Sequence, residues 1–393
     1  MKILICHNYY RSSAPSGEDA VAENEINMLR EYGHEVLTYT KHNDNLDDSS
    51  IIKKISIAKN TIWSNSTYHE LTDFLNTNKP DIVHFHSIFP QISPSAYKAC
   101  YDANIPVIHT LHNFRSVCPG ALLQREEKVC ELCLHGSILN SVRYKCYRQS
   151  LLATGAITAS IIYNRFLGSY SKFVTQYIAL TDFAASRLIM GKIPEELISI
   201  KPNFLPSSSK VGNGTGDYAV YVGRLSIEKG VKTLFNAWKS IDMKLKVVGD
   251  GPLMDELKSL PADDLKNIEF CGYLNRESII EIVSNAAFQL VPSEWYEGFP
   301  MVLLEAFSCG TPVIGSDIGS IGEIVVNKKT GMKFTAGNEE SLIETIIDLL
   351  NNKQLLQDMR ITSRKAFDEM YSKKISYHTL MKIYNNALNS RNL

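Results

Sequence analysis

Short apolar runs alternate with helical patterns along the whole chain, and that alternation confines it to parallel α/β layers. KILICH (2–7) reads as a first strand. Ser16 then caps a helix in which Ala22, Ile26 and Leu29 share one face, and Gly33 stops it before a second strand, HEVLTYT. Further strands read at DIVHFH (81–86), IPVIHTLH (105–112), QYIALT (176–181) and LISIKPN (197–203). At 393 residues the chain has room for two or three domains, each with its own core. The composition shift at PSSSKVGNGTGD (206–217) marks the interdomain linker. Its G-N-G-T-G is not a dinucleotide fingerprint, because no strand immediately precedes it. A first domain is expected over 1–205, a second over 218–372, and a closing helical segment over 373–393.

Charge and hydropathy exclude several classes of function. The net charge is −1, so no global field draws the chain to nucleic acid. MKILICHNYY begins directly as a strand rather than as a secretion signal, and no run of eighteen apolar residues occurs. The expectation is a cytoplasmic protein, soluble or peripheral at the inner face of a membrane.

The most informative stretch is EWYEGFPMVLLEAFSCGTPVIGSD (294–317), which places Glu297 and Glu305 on either side of a helix start. Pro300 suits the first helical turn, and Gly310 followed by Thr311-Pro312 is a helix stop. Free amides and the positive end of the helix dipole then face the preceding loop, as an anionic ligand requires. Two carboxylates repel phosphate, so their natural targets are hydroxyl groups beside it. A nucleotide sugar supplies both. VGRLSIEKGVKTL (222–234) follows an apolar run and precedes a helical pattern, so Gly223, Arg224, Lys229 and Gly230 fall on a strand-to-helix loop. Arg brings a planar fork and Lys a point charge, the pair a leaving diphosphate needs.

Together these elements resemble the retaining GT-B glycosyltransferases of family 4, whose E-x7-E spacing is matched by Glu297 and Glu305. LKVVGDGP (245–252), FCGYL (270–274) and LVPSEW (290–295) also resemble family strands with their loops, and the likeness runs over most of the chain. The resemblance implies a GT-B fold, two Rossmann-like domains facing each other across a cleft. It implies a hexose donor carried on a nucleotide, UDP or GDP, and a saccharide or polyprenyl-linked acceptor, as in assembly of a bacterial surface polysaccharide. Arg224 and Lys229 inherit the diphosphate, Glu297 the sugar hydroxyls and Glu305 the ribose. Gly17, with Glu18, resembles the family's glycine-containing loop, and Gly223, Gly298, Phe299 and Pro300 complete the donor contacts. His112, read at the end of its strand, matches the histidine beside the donor sugar. His7, His84 and His86 stand on similar loops without a motif match. Pro300 and Phe204 depart from the glycines frequent in relatives, which leaves the donor's identity open.

No D-x-D occurs and protein cations face the diphosphate, so no catalytic metal or other cofactor is expected. No carboxylate is placed as a nucleophile, which favours front-face attack with retention. A GT-B sugar-nucleotide epimerase or phosphorylase, or a non-catalytic nucleotide-sugar sensor, remains as a rival. Two further features stay open at this point. Cys118, Cys130, Cys133 and Cys146 surround a C-x2-C knuckle, to be read as a structural zinc site or as plain thiols. From Leu132 through Thr181 there is no acidic residue, while Arg143, Lys145, Arg148, Arg165 and Lys172 punctuate an apolar stretch. That is either a surface for anionic lipid or a buried helix with solvated basic ends.

Overall fold

The computed structural model describes residues 1–13, 16–46, 49–214 and 216–390. Ala14 and Pro15 of the first loop, Thr215 of the linker and residues 391–393 of the closing segment lie outside the described residues. The chain divides into two compact units. The first holds Met1–Leu123, Cys130–Asn203 and the chain from Ser376 onward; the second holds Gln124–Val129 and Phe204–Ile375.

The first unit is built on strands β1 (Lys2–Tyr9), β2 (Glu35–His42), β3 (Ile82–Phe85) and β4 (Val107–Thr110). The first unit's remaining strands are β7 (Gln176–Ala179) and β8 (Ile198–Ile200); between β4 and β7 in the chain, a short antiparallel pair, β5 (Gln124–Arg125) and β6 (Lys128–Val129), belongs to the second unit. The six long-range strands pair in parallel in the order β2-β1-β3-β4-β7-β8. Ile3, Leu4, Ile5 and Cys6 are wholly buried, as a strand covered on both faces must be. Helix Gly17–Glu31 follows β1, and Ser16 caps it in a box closed by the Asp19 carboxylate. Helix Lys373–Ser390 also packs here: Tyr377 stacks on Tyr32 with ring centroids 3.7 Å apart. Several strands are shorter than the apolar runs suggest. β4 ends at Thr110, paired with Ile178 of β7, so His112 lies two residues beyond the strand on a turn.

The second unit repeats the plan with β9 (Tyr218–Val222), β10 (Lys244–Val248), β11 (Ile268–Gly272), β12 (Gln289–Val291), β13 (Val313–Ser316) and β14 (Gly331–Phe334). Their order is β11-β10-β9-β12-β13-β14, all parallel. In both sheets the order reverses next to the first strand, between β1 and β3 and between β9 and β12. Crossovers leave such a point in opposite directions, which opens a crevice at the carboxyl ends of the two strands. Gly249, at φ +133°, is needed for that geometry: a Cβ there would sit 2.0 Å from the Gly223 carbonyl oxygen. Helix Met301–Ser308 is capped by Pro300 rather than beginning with it. It ends in a Schellman turn, with Gly310 at φ +69° and the Thr311 N–H on the Ala306 carbonyl at 2.8 Å.

Candidate functional site

The crevice of the second sheet brings together Lys229, Gly230 and Glu297 of the residues singled out from sequence. Lys229 closes a short 3-10 turn after β9, and Gly230, at φ +67°, caps the helix that follows. A Cβ on Gly230 would meet the Pro292 carbonyl at 1.9 Å, so glycine lets this loop lie against the one after β12. That approach brings Lys229 Nζ within 2.6 Å of Glu297 Oε1, and Ser293 Oγ donates to the same oxygen at 2.8 Å. Glu297 is buried while Lys229 keeps about a quarter of its surface, 26%, open to solvent. Thr233 Oγ1 and Glu294 Oε1, 2.6 Å apart, tie the two loops a second time. Arg224 is exposed beyond β9, and its side chain has no hydrogen-bond partner among the described residues. Gly298 is fixed through its carbonyl, which accepts from Ser320 Oγ at 3.1 Å.

Glu305 lies in the second turn of helix Met301–Ser308, half-buried. Burial pushes its carboxyl pKa up, against the weaker opposing pull of Arg276. Glu297 is matched with an ammonium at contact distance, whereas Glu305 is not. Phe299 packs its ring against Tyr371, 6.2 Å between centroids.

The crevice of the first sheet holds the histidines. His7 Nε2 meets Asp19 Oδ1 at 2.8 Å, and the Ser87 amide reaches His7 Nδ1 at 3.3 Å. His112 Nε2 lies 3.0 Å from His86 Nδ1. Burial drives the His112 pKa well below the ordinary range, with the neighbouring His86 and His7 adding to it. Burial likewise brings His86 down to about 4 and His109 to about 3, so all three rings are neutral near pH 7. A pocket lined by Tyr10, Glu18, Ser87, His112, Asn113 and Arg115 opens beside them. Gly17 is exposed at the first turn of its helix, and a Cβ there would meet nothing within 4 Å. Backbone strain does not account for glycine at that position.

Sequence reasoning missed one feature of this unit. Glu25 and Lys201, both essentially inaccessible, form an ion pair of 2.9 Å from positions 176 residues apart. Glu25, His84 and His86 form the one group of three metal-type ligands drawn together among the described residues, with ligand atoms all within 4.8 Å. Cys118, Cys130, Cys133 and Cys146 do not gather that closely. They are nonetheless neighbours: burial, with Cys118, Cys146 and Cys130 nearby, pushes the Cys133 pKa up to about 11.

Comparison with known proteins finds the same two-domain plan. Residues 16–208 match the family model described as Glycosyltransferase Family 4, and residues 207–366 match Glycosyl transferases group 1. An uncharacterized glycosyltransferase of Methanocaldococcus jannaschii is 25% identical over 385 residues, spanning 96% of this chain and 95% of that one. The N-acetyl-alpha-D-glucosaminyl L-malate synthase of Bacillus anthracis is 31% identical, over 36% of this chain and 37% of its own length. Among solved structures, the Anabaena protein HepE in complex with UDP superposes with a TM-score of 0.68 at 14% identity, over 98% of this chain and all (100%) of that one. The lipopolysaccharide outer core galactosyltransferase WaaB gives 0.67 at 18%, over 100% of each chain. Two parallel-sheet units carrying these two domains in chain order define a class, and the chain belongs to the GT-B glycosyltransferases.

Burial holds the folded-state pKa of Glu305 above its unfolded value, so the folded protein favours the protonated carboxyl. That contribution is fully present below the unfolded pKa and is lost as pH rises through the folded one. Glu305→Gln, neutral throughout, is therefore expected to raise Tm at pH 7 and to lose this advantage below about pH 4. Thermal unfolding of both proteins across that range measures it, and a constant difference contradicts the assignment.

Proposed function

We propose that the protein is a retaining glycosyltransferase that moves a hexose from a UDP or GDP sugar to a saccharide or lipid-linked saccharide during assembly of a bacterial surface polysaccharide. One observation carries this reading: a lysine and a buried glutamate meet at the strand-order reversal of the second sheet, and the exposed Arg224 lies on the same loop after β9 as the lysine. Lys229 exchanges its carboxylate for the diphosphate when donor arrives, and Glu297, relieved of it, accepts from sugar hydroxyls. Glu305 takes the ribose, and His112 acts beside the donor sugar. The glycosidic C1–O bond to the diphosphate then breaks, and negative charge builds on the leaving oxygens. Arg224, Lys229 and the amides at the start of helix Met301–Ser308 stabilise it, usually the largest catalytic effect. The acceptor hydroxyl attacks from the same face and passes its proton to the departing phosphate oxygen. No step needs a catalytic metal. HepE, solved with UDP and with UDP-glucose, and WaaB, a galactosyltransferase of lipopolysaccharide outer core, support the donor class and the setting.

Glu297→Gln and Lys229→Ala are each expected to lower turnover at least about 100-fold, near 3 kcal/mol of transition-state stabilisation. Product analysis with a panel of UDP and GDP hexoses measures it. Near-normal turnover in either variant contradicts these roles, and a nucleotide sugar changed without an acceptor-linked product points to an epimerase.

The acceptor side of the proposal includes contact with an anionic membrane. No described helix is long and apolar enough to cross one. Helices Ile51–Ile62 and Leu151–Phe166 nevertheless leave Ile52, Leu152 and Phe166 exposed at 80%, 86% and 86%, and Arg143, Lys145 and Arg148 are exposed on the approach to the second. Arg165 is not part of that surface, since its guanidinium donates to the Gly191 carbonyl at 2.7 Å. Each exposed basic residue adds about 1 kcal/mol near an anionic surface, screened by salt. Vesicle co-sedimentation is expected to fall with salt and to weaken in an Arg143→Ser, Lys145→Ser, Arg148→Ser protein that still binds nucleotide sugar; an unchanged bound fraction moves the acceptor surface elsewhere.

Zinc held by Cys118, Cys130, Cys133 and Cys146 is proposed as a staple of the segment between β4 and β7, four thiolates sufficing for a tetrahedral site. Metal analysis of the purified protein is expected to find one equivalent, with chelator lowering stability but not the initial rate. Less than about a tenth of an equivalent excludes the site.

A further inference from the structure

The buried ion pair of the first unit is connected to His112 by an unbroken line of contacts. Lys201 Nζ lies 2.9 Å from Glu25 Oε2, and the other oxygen, Oε1, faces His86 Nε2 at 3.2 Å. On its far side His86 presents Nδ1 to His112 Nε2 at 3.0 Å. The His86 and His112 rings lie nearly parallel, 17° apart, with centroids separated by 5.2 Å. His84 packs on the other face of His86, its centroid 4.5 Å away, and sends Nδ1 to Glu25 Oε1 at 3.0 Å. His84 is held in turn by Tyr384 and Thr110, at 2.7 and 2.8 Å. Glu25 Oε1 and His86 Nε2 are both buried and make no aligned hydrogen bond; their 3.2 Å contact is electrostatic, and His84 Nδ1 faces the same oxygen.

Hydrogen positions follow from the chemistry of each member. Burial alone raises the Glu25 pKa, but the Lys201 ammonium and the two histidines outweigh it and hold the carboxyl well below the ordinary range. A buried carboxylate oxygen 3.2 Å from a ring nitrogen repels a lone pair there and favours an N–H, so His86 carries its hydrogen on Nε2. A neutral imidazole has one N–H, which leaves His86 Nδ1 with a lone pair. His112 Nε2 must then donate to it. His112, also neutral, is left with a bare lone pair at Nδ1.

We infer that Lys201, Glu25 and His86 are positioning residues that lock His112 as its neutral Nε2–H tautomer, so that the ring offers a ligand only an acceptor. An acceptor of this kind selects hydroxyl groups and rejects carbonyl or phosphate oxygens. This deepens the proposed function, since it assigns to the histidine beside the donor sugar the reading of a sugar hydroxyl rather than protonation of the leaving group. Lys201 already supplies the positive charge that a metal ion on Glu25, His84 and His86 would otherwise bring.

Substituting Glu25 tests the line at its far end. Glu25→Gln keeps a carbonyl oxygen for Lys201 and turns an NH2 toward His86, making a donor of the group that was an acceptor. His86 must respond by carrying its hydrogen on Nδ1, and His112 by carrying its own on Nδ1. Long-range 1H–15N spectra of the full chain with 15N-labelled histidine report both tautomers without any ligand, and His112→Asn assigns the signals. The expected result is the Nε2–H form for His112 at pH 7 in the natural protein and inversion to Nδ1–H in Glu25→Gln. His86→Phe, which retains the stacked ring and removes the acceptor, is expected to give a mixture. A natural protein with His112 in the Nδ1–H or doubly protonated form overturns the inference by itself, even if neither variant folds. Unaltered His112 signals in a folded Glu25→Gln protein overturn it too. Donor binding by thermal shift, measured separately, registers failure of the glycosyltransferase reading, which the spectra do not touch.

Discussion

Each unit places a carboxylate in a sheet crevice where water is scarce and answers it with a lysine. An isolated buried carboxylate costs several kcal/mol, and removing one partner of a buried pair costs about 3–5 kcal/mol. These pairs therefore constrain what surrounds them. In the second unit Glu297 can occupy its position only because Lys229 reaches it, and Lys229 reaches it only because Gly230 lets one loop lie on the other. In the first unit Glu25 depends on Lys201, which follows the last strand of the sheet, β8.

The two pairs differ in what they permit. Lys201 is 2% exposed and Glu25 1%, so neither can leave the other without exposing a bare charge to a dry interior. That pair is fixed and serves as an anchor for the histidines that contact it. Lys229 is partly open to solvent, and its ammonium can exchange one anion for another at modest cost. A pair of this second kind holds a site closed and satisfied until a stronger anion displaces the carboxylate. Diphosphate carries more charge than Glu297 and is such an anion.

Much of this was legible in the sequence, for identifiable reasons. Alternating apolar runs gave the strands because a parallel sheet covered on both faces cannot tolerate polar interruption, and Ser16 marked its helix because its hydroxyl has only local work to do. The loop of Arg224 and Lys229 was legible from local spacing, as was that of Glu297. His112 was read as a strand terminus, yet β4 stops where its ladder with β7 runs out, which no local pattern records. Glu25 was passed over on a helix face read for its apolar residues, since its partner lies 176 residues away and charge pairs leave no periodic signal. Arg165 was read as a surface charge because a sequence shows the charge and not the Gly191 carbonyl that receives it.

The central claim is that the Lys229–Glu297 pair opens to receive a nucleotide's diphosphate. A crystal structure of the protein with the nucleoside diphosphate of its donor bound tests it most directly. The account predicts diphosphate oxygens within hydrogen-bond distance of Lys229 Nζ and the Arg224 guanidinium, the ribose on Glu305, and Lys229 withdrawn from Glu297. A diphosphate bound elsewhere, with Lys229 still on Glu297, would contradict it.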